Sequence, residues 1–151
     1  MHMTNIVHRD IKPENIMLTN ELFTESALKP GSLKLIDFGL SCYLHIPIDD
    51  TCRGIAGTIG YKDPKVKVGN YESMKMQDWW AFGQTAYTLL TKHHLYNKGF
   101  YNRLDTTKLD TRKAQDEFIE FIELLENLTD PYKQQEERPD NKQILRALHN
   151  I

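Results

Sequence analysis

Apolar residues divide the chain into two parts with different periodicity. In the first part they form short clusters at residues 6–7, 16–18 and 33–36, separated by polar loops, and this pattern predicts short strands. Residues 29–32 have the composition of a turn that leads into the third strand. Residues 42–68 show little periodicity and frequent Gly and Pro, which is typical of a long functional loop.

The second part of the chain has helical periodicity. Residues 78–92 carry apolar side chains around most of the circumference, which predicts a helix buried on nearly all sides. Residues 112–128 predict an amphipathic helix that covers the first one. Its apolar face comprises Phe118, Phe121, Ile122, Leu125 and Leu128. A last helix is expected after Pro139, capped by Asp140 or Asn141. Its inward residues are Ile144, Leu145 and Leu148.

The composition is that of one ordinary folded domain. The 151 residues are 40% apolar and 26% charged, and 19 Lys and Arg stand against 21 Asp and Glu. A net charge of −2 without a basic cluster argues against nucleic acid and membrane surfaces as partners. No stretch reaches the ~20 apolar residues of a spanning helix, and the amino terminus lacks the apolar core of a secretory signal. We therefore expect a cytoplasmic location.

The chain has two cysteines, Cys42 and Cys52. This number implies no disulfide framework, so reduced thiols are expected. With His45 the two thiols offer three zinc ligands, but their spacing matches no common finger and a fourth ligand is not obvious. Zinc is therefore disfavoured.

Residues 8–15 have the sequence His-Arg-Asp-Ile-Lys-Pro-Glu-Asn and directly follow the first predicted strand. They place a carboxylate at Asp10, an amine at Lys12 and an amide at Asn15. Residues 37–39, Asp-Phe-Gly, follow the third predicted strand. Together these segments resemble the catalytic-loop and metal-binding signatures of the protein kinase family.

The resemblance implies a fold and a role for each residue of these signatures. The fold is mainly α (α+β): the carboxy-terminal lobe of a kinase over residues 1–151, with short β-hairpins that carry a catalytic loop and an activation segment. The catalytic loop is residues 8–15 and the activation segment is residues 37–65. Asp10 would accept or orient the proton of a protein hydroxyl, and Lys12 would steady the transferring phosphate of ATP. Asn15 and Asp37 would hold Mg²⁺ through oxygen ligands.

Further residues match supporting positions of the family. Residues 57–65 resemble the end of the activation segment, where Thr58 would hydrogen-bond near the catalytic aspartate and lysine. Asp78 matches an aspartate of the central helix that accepts hydrogen bonds from the catalytic-loop backbone. His8 and Arg9 would give structural support. The combination of Lys12 and Thr58 resembles the serine/threonine branch, so the expected partner is a protein substrate.

Two positions depart from the family pattern. Residues 63–65 are Asp-Pro-Lys where the family has Ala-Pro-Glu, and that glutamate normally pairs with the arginine that matches Arg138. Lys65 would then face Arg138, so repulsion or rearrangement is expected. Gly54 stands where a phosphorylated hydroxyl is often found. The remaining candidate partners for Arg9 are Asp49, Asp50 and Thr51.

No glycine-rich phosphate loop, strand lysine or paired helix glutamate occurs before residues 6–7. The resemblance therefore places an amino-terminal lobe upstream or on a partner chain, and the isolated chain is expected to bind MgATP weakly. Two hypotheses remain: a protein serine/threonine kinase reduced to this lobe, and a catalytically inactive kinase-derived binding module. The retained Asp10, Lys12, Asn15 and Asp37 favour the first, whereas the truncation and Lys65 favour the second.

Overall fold

A computed structural model describes residues 1–18, 32–45, 52–109 and 116–150 of the chain. The helices in these ranges are α1 (Tyr71–Thr91), α2 (Asp116–Thr129) and α3 (Asn141–Asn150). The strands are β1 (Ile6–Val7), β2 (Ile16–Leu18), β3 (Leu33–Leu35), β4 (Cys42–Tyr43), β5 (Tyr96–Asn97) and β6 (Phe100–Tyr101). The predicted mainly α fold with short β-hairpins is confirmed. Among these described helices, none has the length and apolar character needed to cross a bilayer.

Helix α1 is the central element, and it begins before the predicted residue 78. The Asn70 side chain accepts a hydrogen bond from the Ser73 N–H (2.9 Å) and caps the helix at its first turn. The helix ends at Thr91 and is followed by Lys92, whose φ of 60° lies in the left-handed region. Between these ends α1 is buried around most of its circumference, as its sequence predicts.

Helices α2 and α3 pack against α1 through one apolar cluster. Its buried members are Met76, Leu124, Leu128 and Ile144. Helices α1 and α2 approach each other closely at Gly83, where an added Cβ would lie 2.5 Å from Thr129 Cγ2. Any larger residue at this position would force the two helices apart. The predicted start of α2 at residue 112 lies outside the described residues.

Helix α3 is capped by Asp140, one of the two predicted residues. The Asp140 carboxylate accepts a hydrogen bond from the Gln143 N–H (2.8 Å), and the Gln143 side chain accepts one in return from the Asp140 N–H (2.7 Å). Ile144 is fully buried and Leu148 packs against the core, as predicted. The inward prediction is wrong for Leu145, which is 43% exposed, because one helical step of about 100° turns it away from the Ile144 face.

Two ribbons contain the three predicted strands together with β4, which lies in the predicted loop of residues 42–68, and they bring distant segments together. Strand β1 pairs antiparallel with β4, with Val7 opposite Cys42, and β2 pairs antiparallel with β3, with Ile16 opposite Leu35. The turn predicted at residues 29–32 lies outside the described residues except for its last position. The ribbons place the start of the predicted activation segment beside the predicted catalytic loop.

The third ribbon, β5–β6, was not predicted from the sequence. Its two-residue turn has positive φ values at Lys98 (51°) and Gly99 (91°), which suits a tight hairpin. The Tyr101 hydroxyl donates a hydrogen bond to the Lys62 carbonyl (2.6 Å), and its ring contacts the Trp80 ring edge-on at 5.2 Å. Burial raises the pKa of Tyr101 to about 12. The hairpin therefore fastens the end of the predicted activation segment to α1.

The expectation of reduced thiols is wrong, because Cys42 and Cys52 form a disulfide with their Cα atoms 5.6 Å apart. The β1–β4 pairing and the packing beneath it bring the two sulfurs together, which a separation of 10 residues does not reveal. In this state neither sulfur is a thiolate ligand, so the alternative of a zinc site with His45 loses two of its donors.

Candidate active site

The predicted catalytic loop, residues 8–15, lies between β1 and β2 and is closed by a short 3-10 turn, Pro13–Asn15. The Ile36 N–H donates to the Asn15 carbonyl (2.9 Å). This bond joins the end of the loop to the residue that precedes Asp37. The two predicted signatures are therefore neighbours in space, although more than twenty residues separate them along the chain.

The Asp10 carboxylate is the centre of the site. Its Oδ1 accepts hydrogen bonds from the Thr58 N–H (2.8 Å) and the Thr58 hydroxyl (2.6 Å). Its Oδ2 lies 2.8 Å from the Lys12 ammonium and accepts from the Asn15 amide (3.1 Å). Lys12 also donates to Thr58 Oγ1 (2.7 Å). The structure thus brings four of the predicted site residues into one hydrogen-bonded group.

The electrostatics of this group keep both charges in place at neutral pH. Burial by itself raises the pKa of Asp10, but the hydrogen bonds from Lys12 and Thr58 outweigh it and hold the pKa below its usual value. The hydrogen bond to Asp10 likewise raises the pKa of Lys12, and the charge of Asp37 acts in the same direction. Because its pKa is lowered on folding, ionised Asp10 stabilises the fold above its usual pKa. That contribution is lost as the pH falls through the lowered value.

The two predicted magnesium ligands lie at the same end of the β2–β3 ribbon. Asn15 directly precedes β2, and Asp37 stands two residues beyond β3. The Asn15 amide nitrogen donates to the Asp10 carbonyl (2.8 Å) as well as to its carboxylate, so the side-chain oxygen is turned away from Asp10. Asp37 adopts a left-handed φ of 59°, and its Oδ1 accepts from the Gly39 N–H (3.2 Å). Both residues keep oxygen atoms of the kind that Mg²⁺ prefers.

Asp78 anchors the catalytic loop from the central helix. This buried carboxylate accepts hydrogen bonds from the backbone N–H groups of His8 and Arg9, both at 2.8 Å. A third contact comes from His2 Nε2 at 2.9 Å. The His8 ring accepts from the Asp10 N–H (3.3 Å) and donates through Nε2 to the Ile36 carbonyl (3.0 Å). The loop is therefore held by buried polar contacts on both sides.

Arg9 connects the catalytic loop to both arms of the predicted activation segment, which are residues 37–45 and residues 52–58. Its guanidinium donates to the carbonyl groups of Leu40 (2.6 Å) and Gly54 (3.1 Å). The candidate partners predicted for it, Asp49, Asp50 and Thr51, lie outside the described residues. Backbone carbonyl groups on either side of that segment are thus partners of Arg9.

Gly57 permits the close approach that places Thr58 on Asp10. Its φ is 109°, and an added Cβ would lie 2.4 Å from the Arg9 carbonyl oxygen. We expect Gly57→Ala to lower the free energy of unfolding by about 1–3 kcal/mol, because a strained φ and a backbone clash would act together. Urea unfolding followed by circular dichroism measures this change.

Gly54→Ala is the matched control for Gly57→Ala. An added Cβ at Gly54 meets no atom within 4 Å, so its effect should stay within about 0.5 kcal/mol. Equal losses in the two variants would contradict the proposed role of the Gly57 conformation.

Arg138 has a different partner from the one that the family pattern suggests. Its guanidinium donates to the Asp63 carboxylate (2.9 Å), and both side chains are fully buried. Gln135 also donates to Asp63, and the Arg138 guanidinium lies 4.5 Å from the centre of the Trp80 ring. The expected conflict with Lys65 is therefore resolved by rearrangement, because the acid two residues earlier pairs with the arginine.

Sequence reasoning missed three residues that support the site. Gln77 donates to the carbonyl groups of Arg9 (3.4 Å) and Ala56 (3.0 Å), and His2 contacts Asp78. Asp63 is the third. A polar residue directly before Asp78 was a visible signal for Gln77, and an acid in place of alanine was one for Asp63. Nothing in the sequence pattern pointed to His2.

Comparison with known proteins identifies the family. A family model described as protein kinase domain matches residues 1–149. The chain belongs to the protein kinase family. This kinase chain is 36% identical over 91 residues to the RAC family serine/threonine-protein kinase homolog of Dictyostelium discoideum. It is also 36% identical over 95 residues to the phosphorylase b kinase gamma catalytic chain, liver/testis isoform, of Rattus norvegicus.

These kinase relatives are much longer than the chain. Each alignment covers 60% of this chain, but only 18% of the Dictyostelium protein and 21% of the rat protein. A crystal structure of the Rad53 kinase domain and SCD2 matches with a TM-score of 0.63 and 21% identity. That match covers 97% of this chain and 47% of the Rad53 chain, and it supports the kinase-like fold.

Proposed function

We propose that this chain carries the catalytic site of a protein serine/threonine kinase, which transfers the γ-phosphoryl group of MgATP to a protein hydroxyl. The observation that carries the proposal is the Asp10 carboxylate, which is held ionised by Lys12 and Thr58. A carboxylate in this form is a proton acceptor, and a cation 2.8 Å away is placed to offset phosphate charge.

In the proposed reaction Asp10 orients the substrate hydroxyl and takes its proton as the oxygen attacks phosphorus. Lys12 balances the negative charge that spreads over the transferring group. Thr58 holds both side chains at fixed positions, since its hydroxyl donates to Asp10 and accepts from Lys12. Positioning of this kind supplies much of the catalysis in phosphoryl transfer.

Asn15 and Asp37 would hold the Mg²⁺ ion that accompanies ATP. The hydrogen bonds of Asn15 to Asp10 and of Gly39 to Asp37 fix the two side chains while leaving oxygen donors available. When bound, the ion would neutralise charge on the phosphates. The role of both residues is part of the proposal.

Serine/threonine specificity rests on the contact between Lys12 and Thr58 and on the names of the curated relatives. An amino-terminal lobe, supplied upstream or by a partner chain, and a cytoplasmic location are also part of the proposal. Three apolar side chains of the β2–β3 ribbon are exposed, and this supports the proposal that a second lobe covers the ribbon. They are Met17, Leu18 and Leu33.

The proposal is tested by incubating the chain with radiolabelled MgATP and casein, followed by phosphoamino-acid analysis. We expect magnesium-dependent phosphoserine and phosphothreonine without phosphotyrosine. In parallel, amide NMR spectra with millimolar MgATP should show shifts at residues 10–15 and 36–39. These shifts should disappear when EDTA removes the metal.

Site-specific shifts without phosphoryl transfer, both by the chain alone and by the chain fused to a kinase amino-terminal lobe, would contradict the enzyme proposal and favour the alternative, a catalytically inactive kinase-derived binding module. Absence of both shifts and transfer in the same two samples would overturn the kinase proposal. The Asp63–Arg138 pair weakens one reason for the alternative, because the ion pair that Lys65 was expected to disrupt is present with another acid.

A further inference from the structure

The disulfide links two segments that the proposed reaction needs to hold together. Cys42 lies in β4, opposite Val7 of β1, and β1 leads directly into the catalytic loop. Cys52 lies six residues before Thr58 on the other arm of the activation segment. The disulfide therefore links the arm that contains Thr58 to the β1–β4 ribbon that precedes Asp10.

Both sulfur-bearing residues are part of a packed core. Cys52 is fully buried and Cys42 is nearly so, and they contact Val7, Leu44 and Met74 in one apolar cluster. Met74 belongs to α1, so the disulfide also rests on the central helix. Buried sulfurs are protected from reductants as long as this part of the fold stays closed.

Beyond Cys52 the contacts that hold the arm include hydrogen bonds, one each at Gly54 and Ala56 and three between Thr58 and the catalytic loop. The Gly54 carbonyl accepts from Arg9 (3.1 Å), and the Ala56 carbonyl accepts from Gln77 (3.0 Å). The Thr58 N–H then reaches Asp10 at 2.8 Å. Each such bond adds only about 1 kcal/mol to stability, whereas a covalent tie removes many open conformations of the arm.

We propose that Cys42 and Cys52 form a redox modification site whose oxidised state holds Thr58 on Asp10. In the forming step, the two thiols give two electrons and two protons to a glutathione-type disulfide, which leaves as two thiols. One sulfur–sulfur bond breaks in the oxidant and one forms in the protein. In the reverse step, two glutathione-type thiols reduce the protein disulfide, and the arm is released.

Arg9 supports the proposal, because it holds the same two arms together through backbone carbonyl groups rather than through a phosphate group. Its guanidinium binds Leu40, two residues before Cys42, and Gly54, two residues after Cys52. The disulfide and the arginine therefore hold the same two arms at adjacent points. The proposal goes beyond the kinase reaction, because it concerns the order of the arm and is measured without ATP.

The test compares hydrogen–deuterium exchange in the oxidised and dithiothreitol-reduced chain. Peptides that cover residues 53–61 should exchange at least about tenfold faster after reduction, since the local opening is no longer restrained. Peptides from α2 and α3 should not change. The chain contains only two cysteines, so the reductant acts on this pair alone.

A double variant, Cys42→Ala with Cys52→Ala, serves as the control. It should exchange at the fast rate with and without reductant, and α2 and α3 should keep their protection. Equal exchange of residues 53–61 in the oxidised and reduced chain would overturn the proposal. So would faster exchange throughout the molecule, or two thiols that stay reduced in excess oxidised glutathione.

Discussion

Asp63→Ala is expected to lower the free energy of unfolding by about 3–5 kcal/mol, a larger loss of stability than that expected of Gly57→Ala. The reason is that Arg138 is fully buried and would lose its charged partner. Gln135 and the Lys65 N–H also donate to this carboxylate, so three donors would each lose an acceptor at once. Urea unfolding of the wild-type and variant chains measures the loss.

The double variant Asp63→Ala with Arg138→Met separates charge from packing. Removing the buried cation as well should restore part of the stability, because no unpaired charge remains. Lys65→Ala should stay within about 0.5 kcal/mol of wild type. A large gain in stability from Lys65→Ala would mean that Lys65, after all, opposes Arg138.

Asp10→Asn is expected to reduce the rate of phosphoryl transfer by about 10²–10⁴-fold. The amide cannot take the substrate proton, and Lys12 loses the charge that lies 2.8 Å away. The geometry around Thr58 should largely persist, because an amide oxygen still accepts its two hydrogen bonds. The measurement is kcat for labelled phosphate transfer at saturating MgATP.

Glu123→Gln provides the matched control, since it exchanges the same functional groups on the exposed face of α2. Its kcat should equal that of the wild type. If Asp10→Asn keeps a kcat within about tenfold of the wild type while the control is unchanged, Asp10 does not have the proposed catalytic role.

Local periodicity was enough to predict the helices and three of the strands. The group around Asp10 was expected from the resemblance to the protein kinase family, since Thr58 lies 48 residues from Asp10 along the chain. The disulfide could not be predicted, because Cys42 and Cys52 come within bonding distance only through the β1–β4 pairing and the apolar packing beneath it. The partner of Arg138 was missed for a similar reason, as a turn at residues 63–65 decides which side chain is buried.

The early start of α1 and the β5–β6 hairpin were missed for different reasons. The first turn of α1 mixes polar and apolar residues, and its local signals were Asn70 as a cap and the acidic Glu72. The hairpin turn is made by Lys98 and Gly99 rather than by the commonest Asn-Gly pair. Its place against Trp80 is a tertiary contact that the sequence pattern does not contain.

The β2–β3 ribbon also makes one part of the chain suitable for engineering. The spacing of Asn15 and Asp37 is set by ladder hydrogen bonds next to them, while the connection between Leu18 and Leu33 leaves from the opposite end. Lengthening that connection costs little closure entropy, about 0.6 kcal/mol for each doubling. A fluorescent label or an affinity tag inserted there would report on this protein while leaving the spacing of its two oxygen-donor residues intact.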